Sequence, residues 1–300
     1  MTLDQLRIFV AVAERQHVTR AAEALNLAQS AASAAIAALE ARYRTKLFSR
    51  VGRGIELTEA GRLFLAEARA VLARAKVAEL RLAELGDLQS GTLNVQASQT
   101  IASYWLPRHL VAFRRAYPLI EIRLSIGNTA RVAAAVHEGE AELGFVEGAV
   151  DDPALVSTPV AQDRMVLVVA PGHPWDGRDH LDAAELLESE WVLREPGSGT
   201  RSVFEAALEG FGLTSGRLNI ALELPSNEAV RAGVEAGLGA TAISASVAAP
   251  GIEAGLLCQV RFDLPERAFH VLRHRERYGS RAASALLGII AGPGDSGDRP

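Results

Sequence analysis

Two groups of residues have types and spacings that could do chemistry. The first is Gln29, Ser30 and Ser33, followed by Arg50 and Arg53. Short polar side chains near the start of a helix, on its exposed side, can reach base edges in a major groove. The two arginines would contact phosphates or a minor groove. This is the chemistry of reading double-stranded DNA. The second group falls at four places where an apolar run stops and a helical run starts: Ser98-Gln99-Thr100, Asn128-Thr129, Ser198 and Thr200, and Asn227. Helix N-termini carry unpaired N–H groups and the positive end of the helix dipole, so four of them lined with hydroxyls and amides suit a small anion. Each hydroxyl is also an ordinary N-cap, so the group points to a ligand more strongly than any member. Arg201 either adds a full positive charge to that cleft or faces outward. Glu147 orients a donor of the ligand or Arg201, or caps a loop.

Sets that would signal catalysis are missing. Residues 197–200 (GSGT) lack the lysine and the spacing of a phosphate-binding loop, and 237–241 (GLGAT) fall short of a dinucleotide fingerprint. There is no GxSxG elbow and no HExxH. The seven histidines are dispersed; His270 and His274 stand four apart, without a third ligand placed by sequence. Cys258 is the only cysteine, which excludes an internal disulfide and any zinc site needing two thiolates. The expectation is a protein that is not an enzyme and holds neither cofactor nor metal.

These groups need elements to position them. Three hundred residues suggest two domains, and 49% hydrophobic against 22% charged residues excludes wholesale disorder. Net charge is -5, but it is divided unevenly: residues 1–90 hold 13 Lys+Arg and 10 Asp+Glu, and the rest is acidic. Arg42, Arg44, Lys46, Arg50 and Arg53 fall within 12 residues without an acid among them. In the first sixty residues, Leu3, Leu6, Val10 and Ala13 predict one face of a first helix, with Phe9 beside it. Thr19 can cap a second helix ending near Asn26. A third runs over 28–43 with Ile36, Leu39 and Tyr43 inward, and the short break before it predicts a helix-turn-helix. Ile55 and Leu57 alternate with polar neighbours beyond Gly52, predicting a two-stranded wing that carries Arg50 and Arg53. Thr58 caps a long helix to about Leu85, stopped by Gly86. Phe64, Ala68, Val71, Ala75, Ala78, Leu82 and Leu85 form a heptad seam on it that predicts a dimer. Beyond Gly91 short strands alternate with helices, predicting α/β lobes. The N-terminal residues lack a signal-peptide pattern and no apolar run approaches 18 residues, so a cytoplasmic protein without a membrane span is expected.

The segment LRIFVAVAERQHVTRAAEALNLAQSAASAAIAALEARYRTKLFSR, with the wing and LTEAG after it, resembles the LysR-type transcriptional regulators. The resemblance covers nearly the whole chain. It departs at Ala28, where the family has a capping Ser or Thr, at Ala34, commonly basic, and at Thr45, often Gly. DNA shape and wing contacts are therefore expected to carry more of the specificity. ASQTIASYWLP, LGFVEG and LREPGSGTR resemble the branch that regulates carbon fixation and sulfur metabolism.

The resemblance implies an α/β protein: a winged helix-turn-helix at 1–60, a linker and dimerisation helix at 58–88, and a bilobal domain like periplasmic binding proteins at 91–292. Lobe I would take 91–162 and 267–292, lobe II 163–266, and 293–300 a flexible tail. The expected function is a sequence-specific regulator modulated by a small anion between the lobes. Its expected partners are promoter DNA, a second copy through helix 58–85, two such dimers in a tetramer, and RNA polymerase. A solute-binding protein using the same cleft, without a regulatory role, is the alternative.

Overall fold

The computed structural model describes residues 1–51, 54–85 and 91–292. It divides into two compact units, Met1–Asp87 and Leu88–Pro300.

The first unit opens with α1 (Leu3–Arg15), started by a capping box. Thr2 Oγ1 accepts from the Gln5 amide, and the Gln5 side chain accepts from the Thr2 amide. The buried face of α1 holds Leu6, Phe9, Val12 and Ala13; Leu3 is exposed and Val10 half-buried. The face expected from spacing is thus rotated toward Phe9. That ring packs on Phe48 at 5.5 Å and Phe64 at 4.9 Å between centroids, and so large an apolar group decides which side turns inward. α2 (Val18–Ala24) is capped by His17, not Thr19: His17 Nδ1 accepts from the Arg20 amide at 3.3 Å. α3 (Gln29–Tyr43) starts at Ala28 without a side-chain cap. Seven alanines in its 15 residues supply propensity in place of the cap. Leu39 is buried and Ile36 half-buried, but Tyr43 is exposed, because the chain turns away at Arg44 in a left-handed conformation (φ 52°).

Antiparallel strands β1 (Phe48–Val51) and β2 (Gly54–Leu57) form the wing, with Arg50 opposite Ile55. Gly52 and Arg53 lie outside the described residues. In α4 (Glu59–Leu85) Thr58 Oγ1 accepts from the Gly61 amide at 3.0 Å, the cap expected. The start of the expected seam has another use. Ala68 is buried and Phe64 packs on Phe9, in the cluster that also holds Leu39, so both serve the unit's own core. Val71 and Ala78 are exposed and Ala75 half-buried. The side chains of Leu82 and Leu85, the stop at Gly86 and the tail 293–300 lie outside the described residues.

The second unit is built on one sheet. Its elements are β3 (Gly91–Ser98), α5 (Leu106–Ala116), β4 (Ile120–Gly127), α6 (Thr129–Glu138), β5 (Leu143–Glu147), β6 (Leu155–Val169), β7 (Glu190–Arg194), α7 (Gly199–Gly210), β8 (Asn219–Leu224), α8 (Asn227–Glu235), β9 (Ala240–Ser244), α9 (Ala245–Glu253), β10 (Cys258–Val260), β11 (Glu266–His274) and α10 (Arg281–Ala291). A wide π-helical turn, Ile101–Trp105, leads into α5, where Pro107 has no N–H to continue the regular ladder. The strand order is β4-β3-β5-β11-β6-β9-β7-β8, with β10 on β6. β6 is one strand in two lobes. Its residues 155–164 pair with β11, and 165–169 pair with β9 and β10. Only its second half is a buried apolar run, which is why the sequence predicted a strand there alone. The three-residue β10 was not predicted. Separate cores fill the lobes: around Leu93, Phe113 and Phe145 and around Val132 and Val146 in the first, and around Trp191 and Phe204 and around Val166 and Val230 in the second. β3, β4 and β5 run parallel, as do β8, β7 and β9. Helices that follow parallel strands start at the carboxyl ends, which gathers their N-termini along one crevice.

Candidate functional site

The first candidate surface is the start of α3. Gln29 and Ser30 are exposed and Ser33 half-buried; Gln29 Nε2 donates to Ser33 Oγ at 3.1 Å, so these two present a joined polar pair. Ala31 and Ala34 stand exposed beside them. Arg50 is exposed on the wing, as are Arg42 and Arg44 at the end of α3. Sequence reasoning passed over Glu40. It is buried, and its carboxylate accepts from the Leu47 amide (2.9 Å), the Phe48 amide (3.2 Å) and Lys46 Nζ (2.6 Å). Burial opposes its ionisation, but the bonds from Lys46 and the two amides hold its pKa below the usual carboxylate value. From the other side, the Thr58 hydroxyl donates to the Lys46 carbonyl at 2.7 Å. The strand carrying Arg50 is therefore pinned to the helix carrying Gln29. The place of Glu40 beside the inward-facing Leu39, near the end of the predicted third helix, was the available signal.

The second candidate is the crevice between the lobes. All four expected helix starts open onto it. Asn128 and Ser226 are side-chain N-caps of α6 and α8, accepting from the Arg131 and Ala229 amides, and Ser198 stands at the N-cap position of α7. Ser98, Thr100, Thr129, Glu147, Ser198, Thr200 and Asn227 are all buried. Direct bonds join the lobes across them. Gln99 Oε1 accepts from the Asn227 amide (2.7 Å), and Gln99 Nε2 donates to Glu228 (2.6 Å). Asn227 Nδ2 donates to Thr100 Oγ1 (2.9 Å), and Asn128 Nδ2 donates to Glu195 (3.1 Å). The Ala130 amide donates to the Gly197 carbonyl (3.2 Å). Within lobe I, Thr129 Oγ1 donates to the Glu147 carbonyl (2.9 Å); from lobe II, Thr200 Oγ1 donates to Glu147 Oε1 (3.4 Å). Gly199 packs against the Glu147 backbone so closely that no side chain fits between them. Two buried atoms here have no partner, Ser98 Oγ and Glu147 Oε2.

Arg201 is not part of this group. Its guanidinium pairs with Glu205 (2.8 Å) and Glu223 (2.9 Å) and donates to the Arg194 carbonyl (3.1 Å), so its charge is spent within lobe II. Two other arginines stand in the crevice instead. Arg194 is buried, donating to Asn227 Oδ1 (2.6 Å) and to both oxygens of Glu195 (2.8 and 3.1 Å). Arg267, on β11, donates to Asp163 Oδ2 (2.7 Å) and to Thr200 Oγ1 (3.2 Å). Nothing local in the sequence marks Arg267, whose partner lies 104 residues away.

A histidine beside a serine, His173 and Ser189, resembles half of a nucleophilic dyad at 3.2 Å. His173 Nδ1 accepts from the Trp175 amide, so the Nε2 facing Ser189 carries the proton and cannot act as its base. Among the described residues no group of three His, Cys, Asp or Glu is placed to hold a metal, and no helix is long and apolar enough to cross a membrane.

Known proteins match both units. Residues 3–62 match the family described as bacterial regulatory helix-turn-helix protein, lysR family, and residues 86–292 match the LysR substrate binding domain. The uncharacterized HTH-type transcriptional regulator YeiE of Escherichia coli (strain K12) is 34% identical over 289 residues, covering 96% of each chain. A probable RuBisCO transcriptional regulator of Cyanophora paradoxa is 32% identical over 287 residues, 94% of this chain and 89% of its own. That relative falls in the carbon-fixation branch the sequence resembles. Full-length CbnR complexed with its target DNA has the same fold at a TM-score of 0.69 and 23% identity, over 97% of this chain and 99% of that one. The Synechocystis PCC6803 CcmR regulatory domain in complex with 2-PG does so at 0.62 and 22%, over 67% and 96%. With a helix-turn-helix and wing in the first unit and a LysR substrate-binding fold in the second, the chain belongs to the LysR family of DNA-binding transcriptional regulators.

Proposed function

We propose that this regulator responds to a small anion held between the lobes of its second unit. Gln29, Ser30 and Ser33 read base edges, and Arg50 with Arg53 holds the backbone. The helix over 58–85 joins two copies through Val71 and the positions beyond it and sets the half-site spacing, about 34 Å or a multiple. Ser98, Gln99, Thr100, Asn128, Thr129, Ser198, Thr200 and Asn227 surround the anion. Its binding changes how the lobes sit, and with them the arrangement of dimers in a tetramer, the bend of the DNA or the access of RNA polymerase. An effector does this only if it binds the two arrangements with different affinity. The protein works beside DNA in the cytoplasm and catalyses nothing.

The observation that carries this reading is the meeting of four helix N-termini at a crevice bridged by direct cross-lobe bonds. The 2-PG bound by CcmR, a protein of this fold, supports an anionic ligand. The test uses a duplex selected by the protein from a random library. Arg50→Ala should weaken binding evenly across sequences and lower the salt slope by about 1. Thr200→Ala should remove the effect of added 2-PG or phosphate on DNA binding. An unchanged salt slope refutes the wing contact; an unchanged anion response refutes the cleft.

A further inference from the structure

One chain of hydrogen bonds in the crevice has a fixed direction. Arginine only donates, so Arg267 Nη1 donates to Thr200 Oγ1. The Thr200 hydroxyl therefore turns its single proton toward Glu147 Oε1. Glu147 is an acceptor in this chain, it is 2% exposed, and its second oxygen Oε2 is open. Ser98 is also 2% exposed, with its hydroxyl open. The two stand at the carboxyl ends of neighbouring parallel strands, β3 and β5, which pair at Ala97 and Phe145. A buried acceptor without a donor is unfavourable, and so is a buried hydroxyl without an acceptor. A group that supplies both relieves both.

Resting on the anion cleft proposed above, we infer that the effector is an oxyanion that also carries a hydrogen-bond donor. An O–H or N–H of the ligand donates to Glu147 Oε2, and an anionic oxygen of it accepts from the Ser98 hydroxyl. A fully deprotonated oxyanion would set its lone pairs against the carboxylate in a closed site, where charge repulsion is little screened.

Phosphate and sulfate separate the two cases, because they share tetrahedral shape while at pH 7 only phosphate keeps a proton. Calorimetric titration of the full chain with each should show phosphate bound about tenfold or more tighter. In Glu147→Gln the Thr200 hydroxyl still selects the amide oxygen, which leaves the amide N–H2 at the open position. The preference then inverts in favour of sulfate. Ser98→Ala should weaken both anions and keep their ratio. If the wild-type protein binds sulfate as well as phosphate, or Glu147→Gln leaves the ratio unchanged, this inference fails and the cleft stands. If phosphate, sulfate and 2-PG all fail to bind, the cleft itself is wrong and the inference falls with it. The wild-type ratio needs no variant to fold.

Discussion

Substituting Gly199 with alanine should pry the lobes apart, by an amount the structure sets. A Cβ at that position would stand 2.1 Å from the Glu147 carbonyl oxygen, 2.4 Å from Thr129 Oγ1 and 2.8 Å from Glu147 Cγ. Ordinary contact begins at 3.4 Å, so the start of α7 must withdraw by about 1.3 Å, the difference between 3.4 and 2.1. The nearest obstacle is backbone, which cannot swing aside. A retreat of that size breaks the Thr200–Glu147 and Ala130–Gly197 contacts, already at 3.4 and 3.2 Å. Overpacking of this kind costs about 1–3 kcal/mol. Against it, alanine in place of glycine inside a helix gains up to about 1 kcal/mol. Gly210 ends the same helix with nothing within 4 Å of its Cβ position, so Gly210→Ala isolates the helix effect. Trp105, Trp175 and Trp191, the only tryptophans, all lie in the second unit, so fluorescence during urea unfolding reports on it alone. Gly199→Ala should fall about 1–3 kcal/mol below Gly210→Ala and lose its response to added anion. Equal stabilities with a retained response would refute the close meeting of the lobes at this point.

Glu40→Ala should leave the Leu47 and Phe48 amides without their acceptor, at a cost of about 2–4 kcal/mol to the first unit. Hydrogen exchange at those two amides should quicken and DNA affinity fall; unchanged protection would contradict the pinning of wing to helix. The bond between Asn128 and Glu195 should hold at neutral pH and fail in acid. Burial opposes Glu195's charge, but the bond and charge of Arg194 and the Asn128 amide keep its pKa low. A depressed folded pKa gives stability that is present above the ordinary carboxylate value and lost as pH falls through the lowered one. X-ray scattering of the second unit across pH would test it, and loosening already at about pH 5 would be the wrong result.

Local signals in the sequence were enough for most helix starts and most strands, because caps and apolar periodicity act within a few residues; α2 is the exception, started by His17 where Thr19 was expected. What depended on distant packing was not legible. The spacing in α1 suggested Val10 and Leu3 as inward, but the Phe48 and Phe64 rings brought by later elements turned Phe9 in. Phe64 and Ala68 fitted a heptad as well as they fit an internal core, and only the presence of α1 against them decides. Arg201 sat beside the right residues in sequence and points elsewhere, since Glu223 arrives from the next strand to claim it. Arg267 and Arg194 gained their places through β11 and β7, elements whose neighbours no spacing rule names. Glu40 was visible within a motif, yet its work of holding two amides depends on a turn that a helix pattern does not describe.

The placement of β11 between β5 and β6 has a consequence for how the chain is made. Lobe II, from Met165 to the loop before Glu266, is one uninterrupted stretch, while lobe I waits for β11 to fill the middle of its sheet. On the ribosome, β5 is complete at Glu147, yet its neighbour starts only at Glu266. At about 5–20 residues per second, the edge of β5 stays bare for some 6–24 s. During that interval the strand Leu143–Glu147, buried at every position in the finished protein, is an open apolar template. A nascent chain stalled within lobe II would carry that edge exposed, whereas one stalled after His274 would have covered it.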